Sequence, residues 1–132
     1  MIHGIGTDVV EIARIEAAYR RFGLHFVQRL LMDDERRLFD RRAAASPGRT
    51  VRFLAQRFAA KEAIVKALGT GFAHGMWIRN CGFVPNEWGR PDVVWSARGL
   101  RVRDGMGVGV GHVTLTDEAG LVVAVAVLEK AS

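Results

Sequence analysis

The sequence predicts an α+β fold in which early helices pack on a mainly antiparallel sheet. Three observations carry that expectation. Helical spacings fill most of the chain from Ile12 to Leu68, strand-like runs dominate from Trp77 to Leu128, and Gly- or Pro-containing breaks separate them. Helices gathered early and strands gathered late fit α+β better than a doubly wound parallel sheet. With 132 residues, no internal repeat and no long linker, the chain is expected to form one domain over residues 1–132. A chain of that size buries roughly two-thirds of its unfolded surface.

Ile2 to Val10 reads as a strand, in which Gly4 and Gly6 permit close backbone packing. Ile12, Ile15, Tyr19 and Phe22 recur at spacings of three, four and three, which is helical, and Gly23 is a natural stop. Phe26, Leu30 and Leu31 begin a second short helix. Asp33 or Asp34 is placed to cap a third, running to about Ala45, and Ser46-Pro47-Gly48 breaks it. Val51 to Leu68 is the strongest helix, rich in Ala, Leu, Lys and Glu and ending at Gly69. Leu54, Phe58, Val65 and Leu68 share one arc of it, and Lys61 projects into that arc, an unusual place for a solvated lysine. Trp77 to Val84 is expected as a strand, Pro85 to Pro91 as a turn and Asp92 to Ser96 as the returning strand. Ala97 to Asp104 reads as a short helix, Gly105 to Gly111 as a flexible approach, and Gly111–Thr116 with Leu121–Leu128 as a hairpin.

Composition narrows the function classes. Hydrophobic residues at 49% and charged residues at 25% exclude intrinsic disorder. The one cysteine, Cys81, excludes an intrachain disulfide and a cysteine-based metal site, and reads as a small buried hydrophobe. The longest aliphatic run, Leu121 to Leu128, is far short of the roughly 20 residues a membrane span needs. Met1–Val10 has no basic flank and carries Asp8, unlike a signal peptide. A soluble cytoplasmic protein is expected. The net charge of +5 lies entirely in residues 1–66, where eleven arginines fall between Arg14 and Arg57. A basic half of this kind suits an anionic partner; solvated faces and a coding bias toward arginine are the alternative reading.

Asp8 and Glu62 stand out chemically. An aspartate in an apolar strand is either the N-cap of the next helix or a ligand, and Glu62 is either an ion pair with Lys66 or a ligand. Two carboxylates on separate rigid elements suit Mg²⁺, a hard ion that keeps waters and phosphates in its octahedron. Lys61 and Lys66 are point charges suited to phosphate. Gly69-Thr70-Gly71 follows them. These glycines close a helix instead of opening one, so they read as a C-cap and not as a Walker P-loop. His112, with Thr114 and Thr116 in a late strand, is either structural, a hydrogen-bond donor to phosphate or a proton relay.

Taken together, two long segments resemble the holo-acyl-carrier-protein synthases, the short class of 4′-phosphopantetheinyl transferases. Gly4-Ile5-Gly6-Thr7-Asp8-Val9-Val10-Glu11-Ile12 is similar to that family's first motif. Arg57-Phe58-Ala59-Ala60-Lys61-Glu62-Ala63, continuing through Lys66-Ala67-Leu68-Gly69-Thr70-Gly71, is similar to its second. The turn Asn86 to Pro91 and the His112-Val113-Thr114-Leu115 hairpin also fit, so the resemblance spans essentially the whole chain. It implies transfer of the phosphopantetheine arm of coenzyme A to a serine of an apo acyl carrier protein, releasing adenosine 3′,5′-bisphosphate, in the service of fatty acid biosynthesis. It implies catalytic roles for Asp8, Glu62 and Lys66, with Asp8 and Glu62 as Mg²⁺ ligands. Arg57, Lys66, Gly69, Thr70, Gly71, His112 and Thr114 would bind coenzyme A. Arg14, Arg21, Phe26 and Arg29 would receive the acidic helix of the carrier. A homotrimer with sites between subunits is implied as well. The general base stays open, with Glu62 acting through a bound water as the preferred candidate.

Two other classes compete. A basic nucleic-acid-binding module would explain the arginines, but the sequence lacks aromatic interleaving, a zinc motif or a recognition signature. A noncatalytic carrier-protein binder would not need Asp8, Glu62 and Lys66 together. Neither nucleic acid nor a membrane is therefore expected as partner.

Overall fold

The computed structural model describes all residues, Met1–Ser132. Strand β1 (Ile2–Glu11) leads into helices α1 (Ile12–Phe22), α2 (Leu24–Leu30) and α3 (Asp33–Ala45). A 3₁₀ turn at Pro47–Arg49 precedes the long helix α4 (Thr50–Leu68). A second 3₁₀ turn, Ile78–Asn80, then leads into β2 (Cys81–Pro85), β3 (Pro91–Trp95), α5 (Ala97–Gly105), β4 (Val108–Glu118) and β5 (Leu121–Lys130). The five strands form one sheet in the order β1-β5-β4-β3-β2, and each neighbouring pair is antiparallel. The expected α+β architecture is the one observed.

Helix α4 is the centre of the molecule. Its residues are buried on nearly every side, including Leu54, Ala59, Ala63, Ile64 and Leu68. A helix apolar all round must lie inside, and here α1, α2 and α3 cover what the sheet does not. Its contact with β1 is backbone against backbone. A Cβ on Gly6 would run into the Ala63 carbonyl, and one on Gly4 into the Ala67 carbonyl. Ala63 and Ala67 face two strand glycines, so helix and strand approach more closely than ordinary side chains allow.

Four local expectations need correction. Asp8 does not cap α1: Glu11 holds the N-cap position and Asp8 lies within β1, opposite Ala124. Neither Asp33 nor Asp34 caps α3, because Met32 is the N-cap and its N–H donates to the Glu35 side chain at 3.1 Å. The expected strand from Trp77 is broken. Asn80 accepts from the Trp77 N–H at 2.8 Å and donates to Ser96 Oγ at 2.9 Å, winding residues 78–80 into a 3₁₀ turn before β2 begins. The segment Gly105–Gly111 is not a loose approach, since β4 starts at Val108. A Cβ on Gly111 would press on the Leu128 side chain at 2.8 Å, so this glycine makes room for packing across the hairpin.

Candidate active site

Asp8 sits on the helix-facing side of β1 because it alternates with Thr7 and Val9, which point to the opposite face. Lys66, one turn from the end of α4, reaches across to it. Its Nζ lies 3.1 Å from Asp8 Oδ1 and 3.0 Å from the Thr7 carbonyl, while half its side chain stays in solvent. The Glu62–Lys66 ion pair considered from sequence is thus replaced by Asp8–Lys66. Glu62, one helical turn before Lys66, is half-buried. Desolvation first, and the Asp8 carboxylate second, hold its proton affinity above the ordinary carboxylate range, with Lys66 and Arg14 opposing. Two repelling carboxylates thus stand together between β1 and α4, with Lys66 paired to Asp8 and Arg14 acting on Glu62 from α1. No third His, Cys, Asp or Glu joins them in a ligating cluster. The donor set fits Mg²⁺, which is commonly held by one or two carboxylates while water and phosphate oxygens complete its shell.

Gly69 ends α4 with φ +92°, its N–H bonded to the Val65 carbonyl at 3.0 Å, so it is a helix C-cap. Thr70 donates to the Gly71 carbonyl at 2.7 Å. This turn begins three residues beyond Lys66 and so lies at the same end of α4.

The remaining residues are dispersed. His112 and Thr114 point to the face of the sheet opposite Asp8: Thr114 pairs with Val125, which pairs on its other side with Thr7, whereas Asp8 pairs with Ala124. His112 Nε2 lies 2.6 Å from Glu129 Oε2, and that hydrogen bond lowers the Glu129 proton affinity. Arg57 precedes Lys66 by nine residues, which on a 3.6-residue helix puts it on the opposite side of α4. Its guanidinium is 5% exposed, stacked 3.9 Å from the Phe53 ring and 4.0 Å from Phe83, and 3.7 Å from Glu35 Oε2. Nε has no hydrogen-bond partner, and burial lowers the proton affinity to about 10. Arg57 lines a cavity of about 420 Å³ together with Arg41 and Arg42. Arg14, Arg21 and Arg29 are exposed along α1 and α2, and Phe26 is half-buried against the core.

Sequence reasoning missed Glu35. This wholly buried carboxylate accepts from Lys61 Nζ at 2.6 Å, and Lys61, also wholly buried, donates to the Cys81 carbonyl at 2.5 Å. Lys61 within an apolar arc was the signal that a partner existed. Glu35, following Asp33 and Asp34, looked like one more acidic residue in a helix's first turn.

Comparison with known proteins agrees over nearly the whole chain. The 4′-phosphopantetheinyl transferase superfamily profile matches residues 4–124. A holo-[acyl-carrier-protein] synthase from Desulfovibrio desulfuricans is 40% identical over 129 residues, covering 98% of both chains. The crystal structure of the corresponding synthase from Neisseria meningitidis superposes with a TM-score of 0.89 at 35% identity, covering 98% of this chain and 100% of that one. A synthase from Bacillus anthracis, solved in complex with CoA (3′,5′-ADP), gives a TM-score of 0.78 at 30% identity, with 100% and 99% covered.

Proposed function

Since the chain belongs to the holo-[acyl-carrier-protein] synthases of the 4′-phosphopantetheinyl transferase superfamily, it is a phosphopantetheinyl transferase, and we propose the following chemistry for its residues. It transfers the phosphopantetheine arm of coenzyme A to a serine of an apo acyl carrier protein, in the cytoplasm and as part of fatty acid biosynthesis. Residues 1–132 act as one domain, and the second product is adenosine 3′,5′-bisphosphate. The observation that carries this reading is the Asp8–Glu62–Lys66 cluster held between β1 and α4.

Phosphoryl transfer needs positioning and charge neutralisation more than covalent help from the protein. Lys66 lies across Asp8 with half its side chain in solvent, placed to turn its ammonium toward a pyrophosphate oxygen. Glu62, whose proton affinity is raised by burial and by the Asp8 carboxylate, is the preferred general base for the attacking serine hydroxyl, acting through a water. Mg²⁺ bound by Asp8 and Glu62 would supply the remaining charge neutralisation on the pyrophosphate. Gly69, Thr70 and Gly71 border the cluster on the coenzyme side. Arg14, Arg21, Phe26 and Arg29 receive the acidic carrier.

The same reading has the active form as a homotrimer. The sheet face away from α4 carries Ile5, Val9, Val110, Val123, Val125 and Val127, and Ile5, Val9 and Val110 are exposed. An apolar face of this kind favours burial against another copy. His112 and Thr114 share that face, so a neighbouring copy can bring them to a coenzyme held at Asp8, where the same copy cannot. Arg57, with Arg41 and Arg42, would likewise meet a phosphate of a coenzyme shared with another copy. No helix is long and apolar enough to cross a membrane.

The test follows adenosine 3′,5′-bisphosphate release from coenzyme A in the presence of apo carrier protein and Mg²⁺. Asp8→Ala and Glu62→Ala are expected to cut the rate while circular dichroism stays native. Full activity of both variants at limiting Mg²⁺ would remove the metal-ligand assignment.

A further inference from the structure

We propose that the groove between α2 and the 3₁₀ turn Ile78–Asn80 is a docking pocket for an apolar side chain of the acidic carrier protein, anchored on Trp77. The inference rests on the carrier-protein reading above and adds a contact to it. The groove holds about 530 Å³ and is lined by His25, Gln28, Arg29, Trp77, Ile78 and Arg79. His25, Gln28 and Arg29 stand at helical spacings of three and four, on the side of α2 away from buried Val27 and Leu30. Trp77 closes the other wall with its side chain 50% exposed.

The turn presenting Trp77 is fixed from several directions. The Trp77 N–H donates to Asn80 Oδ1 at 2.8 Å, and the Trp77 carbonyl accepts from the Asn80 N–H at 2.9 Å. Arg79 Nε donates to the Leu31 carbonyl at 3.0 Å, and its Nη2 lies 3.3 Å from Asp33 Oδ1, tying the turn to the start of α3. A half-exposed indole on a turn whose backbone is already fixed is the kind of residue that dominates interfaces, and arginine is the other.

Charge selects the occupant. No acidic side chain lines the groove, whereas Arg29 and Arg79 do, the Arg79 guanidinium being paired with Asp33 outside the lining. The positive strip continues along α1 through Arg21 to Arg14, seven residues or about 10 Å nearer the reaction centre. Arg14 is close enough to Glu62 to act on its proton affinity. An acidic helix lying from Arg14 to Arg29 thus runs from the reaction centre to the groove, where an apolar side chain meets Trp77 and Ile78. Only two arginines border this apolar cleft, which favours an acidic protein over a nucleic acid, whose backbone needs a longer cationic track.

The experiment compares full-length wild type, Trp77→Ala and Trp77→Phe in initial-rate assays, varying apo carrier at saturating coenzyme A and then the reverse. Trp77→Ala is expected to raise KM for the carrier by about tenfold or more, the loss typical of an interface anchor. kcat and KM for coenzyme A should stay within about twofold, and Trp77→Phe should recover most of the carrier affinity. An unchanged carrier KM with active wild type overturns the groove alone, whereas wild type inactive on every carrier removes the broader reading with it. A raised KM for coenzyme A would place Trp77 in the coenzyme site instead. A Trp77→Ala change in sedimentation would assign the groove to contact between copies, and loss of salt-sensitive oligonucleotide binding would assign it to nucleic acid. Each of these contradicts carrier docking.

Discussion

Burial and the Asp8 carboxylate both oppose ionisation of Glu62, so its charged form costs the fold stability. Its proton affinity is raised in the native protein, so between the ordinary value of 4.5 and the raised one the native state binds more protons than the unfolded state. Stability from this group therefore falls as pH rises across that window and stays lower above it. With divalent ions chelated, Glu62→Gln is expected to raise Tm at pH 7 and to flatten the decline between acid and neutral pH; with Mg²⁺ restored, it is expected to lack the transferase activity of wild type. Calorimetry across pH checks the first part. A lower Tm for Glu62→Gln would mean that the carboxylate is stabilised by its surroundings. The residue types at the site were legible in the sequence because Asp8 and Glu62 broke local rules, an acid in an apolar strand and an acid beside a misplaced lysine. Their pairing was not legible: a spacing of four suggested Glu62–Lys66, but the short distance between β1 and α4 lets Lys66 reach Asp8 instead.

That short distance is a property of elements. Gly4 and Gly6 on β1 meet Ala63 and Ala67 on α4 through backbone contact, which sets Asp8 within reach of Lys66. Gly6→Val would drive a branched side chain into the Ala63 carbonyl and Lys66 Cβ, at a cost of about 2–3 kcal/mol. Gly48→Ala, where an added Cβ meets nothing within 4 Å, should stay within about 0.5 kcal/mol of wild type, urea titration of both variants measuring the two costs. Equal losses at the two positions would remove the close-packing account. On the other side of α4, Lys61 bonds both Glu35 and the Cys81 carbonyl, joining α3, α4 and β2 in one buried contact. Lys61→Met leaves Glu35 unneutralised by its closest partner and should cost about 3–5 kcal/mol, read by chemical unfolding. A near-neutral result would mean that Arg57, 3.7 Å away, suffices for Glu35. The Gly-x-Gly strand and the Ala-rich helix could be read from sequence, yet that they meet face to face is a tertiary fact. The same holds for Trp77, whose β-favouring neighbours suggested a strand until the Asn80 side chain bonded back to it.

At the scale of the molecule, one copy divides the expected ligands between two faces of its sheet. Asp8, Glu62 and Lys66 lie with α4, while His112 and Thr114 lie on the valine-lined face. If a neighbouring copy completes the site, Asp8→Ala and His112→Ala homo-oligomers are each impaired, and mixing them regains activity, because mixed assemblies contain sites with both residues intact. Native mass spectrometry verifies the mixing. Verified mixed assemblies without regained activity, or a fully active monomer, would contradict the shared site. The charge asymmetry of the sequence is also clearer at this scale. Arg14, Arg21 and Arg29 are exposed on the surface, whereas Arg57 is buried at the edge of a cavity, stacked against two phenylalanine rings. Composition placed the charge in one half of the chain, but only the fold separates arginines that stay in solvent from one that stacks against the core. Intact mass spectrometry of an apo acyl carrier protein, after incubation with the enzyme, coenzyme A and Mg²⁺, reads transfer of the phosphopantetheine arm itself. A gain of one phosphopantetheine mass on the carrier is expected, absent with Asp8→Ala; an unmodified mass across several apo carriers would overturn the transferase reading.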